Sequence, residues 1–261
     1  MTFIEFANEI DNLGGVAYFV GGCVRDEIMN ATPHDIDIVV CGITVDEFNG
    51  VFIAEQTGSS FPVFRLNIEN QEIEVAFARI EKKVSEGHSG FVMEFSPHVT
   101  IEEDLIRRDV TINAIAKNIL TGEILDPFNG IEDIHNHIIR ATSNHFVEDA
   151  LRVLRVARFA AKYNFIVDDN TIELMASCRD ELKHISLERV IIELKKALAT
   201  DKPSVFFNVL KKANCLDVVF PEIYHLIGKT QPQKFHPEGD AYNHSMIVLD
   251  NVANNTKDIY V

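Results

Sequence analysis

Between residues 15 and 80 the apolar positions fall in short blocks with the alternation of strands. VAYFV (16–20), DIDIVV (35–40), PVFRLNI (62–68) and EIEVAFAR (72–79) are rich in β-branched and aromatic residues and bounded by glycine, proline or polar residues. Ahead of them, TFIEFANEIDNL (2–13) repeats its apolar residues at helical spacing and ends at Gly14-Gly15. EKKVSEGHSGF (81–91), polar with two glycines, predicts a mobile loop. From about residue 145 the period changes to 3.6. VEDALRVLRVARFAAKY (147–163), NTIELMASCRDEL (170–182), SLERVIIELKKALAT (186–200) and PSVFFNVLKKAN (203–214) all predict helices. The pattern is a mixed α/β head followed by an all-helical body. The joint is expected near DPFNGIEDI (126–134), where Pro127 and Gly130 punctuate the chain.

Composition narrows this picture. The 261 residues, 46% hydrophobic and 25% charged, suit a water-facing globular chain with a sizeable core. No apolar run approaches the roughly 20 residues of a membrane span, so no membrane is expected. The start, MTFIEFANEI, lacks a basic n-region and predicts no secretory signal. Cys23, Cys41, Cys178 and Cys215 are widely spaced, which predicts free thiols in a reducing cytoplasm. A net charge of -16 repels nucleic acid at long range, so any RNA must be met by a local basic patch.

The chemistry concentrates in YFVGGCVRDEIMNATPHDIDIVV (18–40). In a strand, residues i and i+2 share a face, which puts Asp35 and Asp37 roughly 7 Å apart at Cα. Such a pair can converge on a divalent ion; Mg²⁺ takes a few carboxylates plus substrate phosphates. A solvated strand start would explain the pair equally well on its own. Gly21 and Gly22 shift the balance, because they let backbone approach a ligand closely. The following helix would present free N–H groups and a positive dipole end, and Arg25, one turn in, could add a bidentate phosphate contact. Glu74 is the candidate third carboxylate, with Glu72 its same-face competitor.

Two basic segments follow. Over 148–162, Arg152, Arg155, Arg158 and Lys162 fall within an arc of roughly 120°, with valines and alanines opposite. Glu148 and Asp149 sit at the expected helix start, where acids favour the dipole. IRRDVTINA (106–114) adds Arg107, Arg108, Asp109 and Asn113, whose Arg–Asp pair could serve a ligand or the fold.

These pieces, in this order, resemble the class II tRNA nucleotidyltransferase (CCA-adding) and bacterial poly(A) polymerase family. The resemblance runs through GGCVRD, DIDIVV, EVAFAR, EEDLIRRDVTINAIA, DPFNGIEDI, EDALRVLRVARFAAKY and SLERVIIELKKAL, nearly the whole chain. It implies an α+β fold: a polymerase beta-like nucleotidyltransferase head with a mixed sheet over 1–140, an all-α neck and body over 141–222, and the start of an incomplete HD-like region over 223–261. It implies template-independent addition of C, C and A from CTP and ATP to the 3′ end of tRNA. In that reading Asp35 and Asp37 bind Mg²⁺, supported by Glu74. Gly21, Gly22 and Arg25 contact the triphosphate. Arg108, Asp109 and Asn113 face the ribose and phosphates. Asp149 and Arg152 read the base edge, Arg155 and Arg158 support them, and the loop Gly87–Gly90 switches between nucleotides.

KFHPEGDAYNHSMIVLD (234–250) resembles the CCA-adding enzymes that carry a C-terminal HD domain. No His-Asp pair follows it, and His236 and His244 alone do not make an HD metal site, so no phosphohydrolase activity is expected. Lysines 195, 196, 202, 211 and 212 could form an RNA surface or scatter in solvent. A partner chain or a further C-terminal segment is expected to help hold tRNA. Poly(A) synthesis, CC-only or A-only addition, and a catalytically idle RNA-binding remnant are the alternatives.

Overall fold

The computed structural model describes residues 1–33, 35–57, 62–83, 91–256, 258 and 259, with backbone alone for 81–83 and 91–95. The chain forms two compact units, Met1–Asn136 and His137–Val261.

In the first unit, three helices open with one local device. Thr2, Thr44 and Thr100 each accept a hydrogen bond from the backbone N–H three residues on, and Glu5, Glu47 and Glu103 each accept one from the cap N–H in return. These boxes start α1 (Phe3–Asn12), α3 (Val45–Val51) and α4 (Ile101–Ile106). The remaining elements are α2 (Gly22–Ile28), α5 (Gly130–His135) and strands β1 (Val16–Val20), β2 (Asp37–Cys41), β3 (Glu55–Gln56), β4 (Val63–Ile68), β5 (Gln71–Phe77), β6 (Arg79–Lys83), β7 (Phe91–Phe95), β8 (Ala116–Asn118) and β9 (Ile124–Leu125).

Seven strands form one mixed sheet in the order β3-β4-β5-β2-β1-β8-β9, antiparallel except where β2 meets β5. Ile38 and Val40 of the central β2 join one cluster with Phe6, Phe48, Phe64, Val75 and Phe77. Val39 joins another with Leu105, Ala114 and Ala116. Burial on both faces explains why β2 reads as a continuous apolar run rather than an alternating one.

Two boundaries differ from the sequence pattern. The strand expected at Asp35 begins at Asp37, whose partner is Val20, the last residue of β1; the chain turns away at Gly21, so Asp35 and Ile36 have no ladder partner there. The polar run expected to be loop from residue 81 contributes Glu81–Lys83 and Phe91 to the β6–β7 ribbon. The Gly87–Gly90 loop lies outside the described residues.

Among its described residues the second unit is mainly helical, with a short ribbon of β10 (Ile138–Ile139) and β11 (Ile166–Val167), a parallel pair that is too short to show as a periodic pattern, and one isolated bridge between Thr230 and Asp240. Its helices are α6 (Leu151–Tyr163), α7 (Asp169–Ser177), α8 (Leu187–Leu198), α9 (Ser204–Lys212), α10 (Leu216–Val219), α11 (Pro221–Tyr224) and α12 (Ala241–Asn255). Helix α6 buries Val153, Leu154, Val156, Ala157 and Ala160 and packs against α8 and α9. Helix α12 is fastened to α9 by Tyr242, whose hydroxyl donates to Asn208 (3.0 Å), and by Asp250, which accepts from the Ser204 hydroxyl (2.7 Å). Among the described residues no helix is long and apolar enough to cross a membrane. The architecture is α+β, with the mixed sheet confined to the first unit.

Candidate functional site

The parallel pairing of β2 and β5 places Asp37 opposite Glu74, 37 residues away in sequence. Glu72 pairs instead with Asn67 on the far strand and lies two residues from that position. Asp35 sits in the bend just before β2. Burial pushes the Asp37 carboxyl above its usual range, Arg108 opposes this, and the charges of Glu74 and Asp35 push it further up. Three carboxylates thus share one field, and Arg108 is the cation that acts on Asp37 within it. Glu74 also meets Arg65 of β4 at 3.5 Å, an exposed and loose pair.

The raised position of Asp37 has a consequence for stability. An acid whose folded-state pKa lies above its unfolded value destabilises the fold once pH rises past it. Asp37→Asn should therefore raise the apo-protein's melting temperature at pH 8, and the gain should fade as pH drops through the carboxylate range. Asp37 is exposed at the strand end, so water screens much of the effect and the expected gain is small, at most about 2 °C. Thermal melts at pH 8 and pH 4 check this; a lower melting temperature for the variant at pH 8 would contradict it.

Arg108 is aimed by a buried acid. Asp104, fully buried on α4, accepts from Arg107 Nε (3.1 Å) and from Arg108 Nη2 (3.1 Å). Burial pushes the Asp104 carboxyl up, but the two guanidinium groups outweigh it and hold the group ionised below the usual range. Arg108 Nη1 lies so close to the Gly21 turn that a Cβ there would come within 2.8 Å of it. Gly21 has φ +72°, and this left-handed backbone is what makes the turn need glycine. Arg108 Nε is buried with no hydrogen-bond partner among the described residues.

Arg25 does not project as the sequence suggests. It is 5% exposed, donates to Asp26 Oδ1 from Nε and Nη2 (2.9 and 2.7 Å), and meets Asn113 Oδ1. Asn113 in turn donates to Asp109 Oδ1 (3.3 Å), which also accepts from the Val110 N–H (2.9 Å). Gly22 opens α2 beside this network, and a Cβ there would lie 3.5 Å from the Arg25 guanidinium. Arg25 comes from the glycine-turn segment and Asp109 and Asn113 from the later Arg-Arg-Asp run; a chain of hydrogen bonds joins the two.

In the second unit, Asp149 precedes α6. Its Oδ1 accepts from the Leu151 N–H (3.0 Å) and its Oδ2 from Arg189 Nη2 (3.1 Å). Arg152 is buried and donates from Nη1 to the His145 carbonyl (2.5 Å). Arg158 is buried against Glu193 of α8 and lies over the Phe159 ring at 4.1 Å. Arg155 is partly exposed, and its guanidinium carbon is 5.5 Å from the same ring. The face expected to be uniformly basic is therefore partly interior. Its arginines are separated by their partners.

Asp104, Arg189 and Glu193 are the residues that sequence reasoning missed. Glu193 sits at the buried positions of α8 with Val190 and Ala197, an acid on the apolar side of a helix, and that was the available signal. Glu238 was missed as well: it bridges the two histidines, hydrogen-bonded to His244 and 3.8 Å from His236. Of the five lysines, Lys212 pairs with Asp169 (2.7 Å) and Lys211 covers the Tyr242 ring (4.5 Å).

Comparison with known proteins bears on both units. Residues 17–140 match the family described as Poly A polymerase head domain. Residues 164–226 match the one described as Probable RNA and SrmB-binding site of polymerase A. The Multifunctional CCA protein of Haemophilus ducreyi is 45% identical over 238 residues, covering 89% of this chain and 57% of that protein. That of Shewanella denitrificans is 46% identical over 249 residues, covering 94% and 59%. The chain thus spans little more than half the length of these relatives. Among solved structures, the Bacillus stearothermophilus CCA-adding enzyme in complex with CTP superposes with a TM-score of 0.71 at 29% identity, over 81% of this chain and 51% of that one. The Thermotoga maritima CCA-adding enzyme complexed with tRNA gives 0.69 at 26% identity, over 84% and 52%. Head match, body match and relatives together show that the chain belongs to the class II tRNA nucleotidyltransferase and bacterial poly(A) polymerase family.

Proposed function

We propose that this chain adds C, C and A in turn, from CTP and ATP, to the 3′ end of tRNA, in the cytoplasm. The observation that carries the reading is the register that sets Asp37 opposite Glu74, with Asp35 and Arg108 acting on the same carboxyl. Residues 1–140 would be catalytic, 141–222 would select the nucleotide and bind RNA, and 223–261 would begin an HD-like region.

The donor set suits a divalent metal. Asp35, Asp37 and Glu74 offer only carboxylate oxygens, and the charges of Glu74 and Asp35 that help push the Asp37 carboxyl up are relieved by a cation. Mg²⁺ is the ion we assign to Asp35 and Asp37, because hard oxygen donors leave room for phosphate and water. When bound, it would supply Lewis-acid activation of the attacking hydroxyl and neutralise the phosphates.

The residues of the chain do the rest. Arg108, clamped by Asp104 and with Nε unsatisfied, would meet the triphosphate beside the Gly21–Gly22 turn. Arg25, Asp109 and Asn113 would hold the ribose side rigid through their shared hydrogen bonds. The RNA 3′-oxygen would bond to the α-phosphorus as the bond to the β-phosphate breaks, releasing pyrophosphate. Asp149 would accept from the exocyclic amine of cytosine or adenine, and Arg152 would donate to the adjacent ring acceptor, with Arg155 and Arg158 in support. UTP and GTP lack that amine at this edge and present a carbonyl oxygen there instead, so that two acceptors face each other without a hydrogen bond.

The test is extension of tRNA transcripts ending at the discriminator base, after C, and after CC, with Mg²⁺ and CTP or ATP singly and together. Ordered addition of C, C and A is expected. Long A tracts would replace the reading with poly(A) synthesis, and nucleotide binding without extension would replace it with an RNA-binding remnant.

A further inference from the structure

Residues 221–241 carry the chain from α10 through α11 to α12 without a core of their own. None of them is fully buried, and the aromatics Tyr224 and Phe235 are exposed. Polar contacts hold the segment instead. Thr230 forms a bridge with Asp240, and the Gly239 N–H donates to the His236 carbonyl (2.9 Å). Asp240 accepts from the N–H groups of Gly228 (2.6 Å) and Asn243 (3.1 Å). A stretch that buries so little apolar surface needs a further tie to hold one conformation.

The groups for such a tie gather where the segment meets α12. His236 and Glu238 belong to the segment, and His244 lies near the start of α12. Their ligand atoms lie within 4.8 Å of one another, and all three residues are partly buried. His236 Nδ1 is 3.4 Å from His244 Nδ1 and 3.8 Å from Glu238 Oε1. His244 Nδ1 is hydrogen-bonded to that same oxygen. The two rings are inclined at 83° and do not stack. A hydrogen bond accounts for His244 and Glu238 alone. At 3.8 Å His236 is too far from the carboxylate for one, and 3.4 Å is long for one between two ring nitrogens. A cation at the centre satisfies all three. Zinc takes histidine nitrogen at about 2.0–2.1 Å in tetrahedral geometry, which spaces neighbouring ligands roughly 3.3–3.4 Å apart.

We propose that His236, Glu238 and His244 bind one Zn²⁺ ion, which fastens the 221–241 segment to α12. Two imidazoles and one carboxylate suit zinc, with water in the fourth position; Mg²⁺ prefers an all-oxygen set. The acid here is Glu238, not the aspartate of a His-Asp pair. All three ligands lie within residues 236–244, so binding closes only a short loop, at little cost in chain entropy. The site shares no residue with Asp35, Asp37 and Glu74, and the proposal stands apart from nucleotidyl transfer.

The experiment strips the full chain with a chelator, desalts it and titrates Zn²⁺ by calorimetry in excess Mg²⁺, which fills the all-oxygen carboxylates of the first unit. One equivalent should bind. The double variant His236→Gln/His244→Gln should weaken binding more than about a hundredfold, and Glu238→Gln about tenfold or more. Co²⁺ should give the intense visible bands of a four-coordinate site in the wild type and not in the double variant. Trypsin reads the fastening, because Lys234 is exposed. Zn²⁺ at ten times its Kd should slow cleavage after Lys234 about tenfold in the wild type and leave the double variant unprotected. Circular dichroism establishes that each variant is folded; if the double variant is not, Glu238→Gln is read by the same criteria. No zinc binding by the wild type overturns the proposal. So does equal binding by wild type and double variant, which places the ion on other side chains. Zinc bound at the three ligands with cleavage after Lys234 unchanged overturns the fastening role.

Discussion

Replacing Asp35 and Asp37 together with alanine should cut nucleotide incorporation by more than about 10³-fold while leaving the fold intact. Removal of one group that stabilises developing charge typically costs about 10²–10³ in rate, and here two such groups go at once. The double variant loses the carboxylates proposed to hold the cation and leaves Arg108 facing Glu74 alone. Stability should not suffer. Asp37 is a group whose charge the fold holds at a cost, since burial and its acidic neighbours push its carboxyl up. Asp35 lies in an exposed bend outside the ladder. The expected signature is a catalytically silent protein that melts no lower than wild type. Gel-resolved extension of labelled tRNA and a thermal melt on the same preparation read both halves. Residual activity above about one per cent would remove these aspartates from the centre of the reaction. A large fall in melting temperature would reassign the loss to unfolding.

Local signals carried a good part of this site into the sequence. The glycine turn, the two aspartates and the following Arg-Arg-Asp run each lie within a few residues, and short-range spacing determines what they share. What the sequence hid is pairing across distance. Asp37 meets Glu74 only because β2 and β5 run parallel, and a one-residue slip would have put Glu74 on the opposite face. Arg189 finds Asp149 across 40 residues and Arg158 finds Glu193 across 35. No periodicity connects such positions. The same blindness made the α6 arginines look like one basic face: helical angle was right, but burial depends on which helices cover it, and α8 meets Arg158 with an acid. Asp104 is the clearest case. In the run EEDLI it looks like another surface acid at a helix start, yet it is the fully buried one, because the apolar positions around it turn it inward beneath two arginines.

Gly130→Ala is expected to destabilise the first unit by about 3 kcal/mol or more, although it adds a single methyl group. Gly130 opens α5, where its N–H and that of Ile131 donate to Asp126 at 2.7 and 2.9 Å. A Cβ at this residue would lie 2.3 Å from the Thr111 carbonyl oxygen, 2.8 Å from its carbon and 3.0 Å from Ile115 Cγ1. The first two are backbone atoms, so no rotamer change can make room. Either α5 or the Thr111–Asn113 turn must move. Neither moves cheaply: Thr111 Oγ1 donates to Asp133 Oδ2 of α5 at 2.7 Å, and both residues are buried. Overpacking of a well-filled core costs typically about 1–3 kcal/mol, and a clash with backbone belongs at or above the top of that range. At about 2–4 °C per kcal/mol, the melting temperature should fall by roughly 10 °C. The effect should reach the site below the melt. The displaced turn ends in Asn113, which ties Arg25 to Asp109, so CTP affinity should weaken even at temperatures where the variant is fully folded. Thermal unfolding and calorimetric CTP titration well below the melt test the two parts separately. A melting temperature within about 2 °C of wild type, less than one kcal/mol on the same scale, would mean that the α5 contact yields far more easily than its backbone atoms suggest. A large melting shift with unchanged CTP affinity would mean that the Thr111–Asn113 turn holds its place and α5 absorbs the whole displacement.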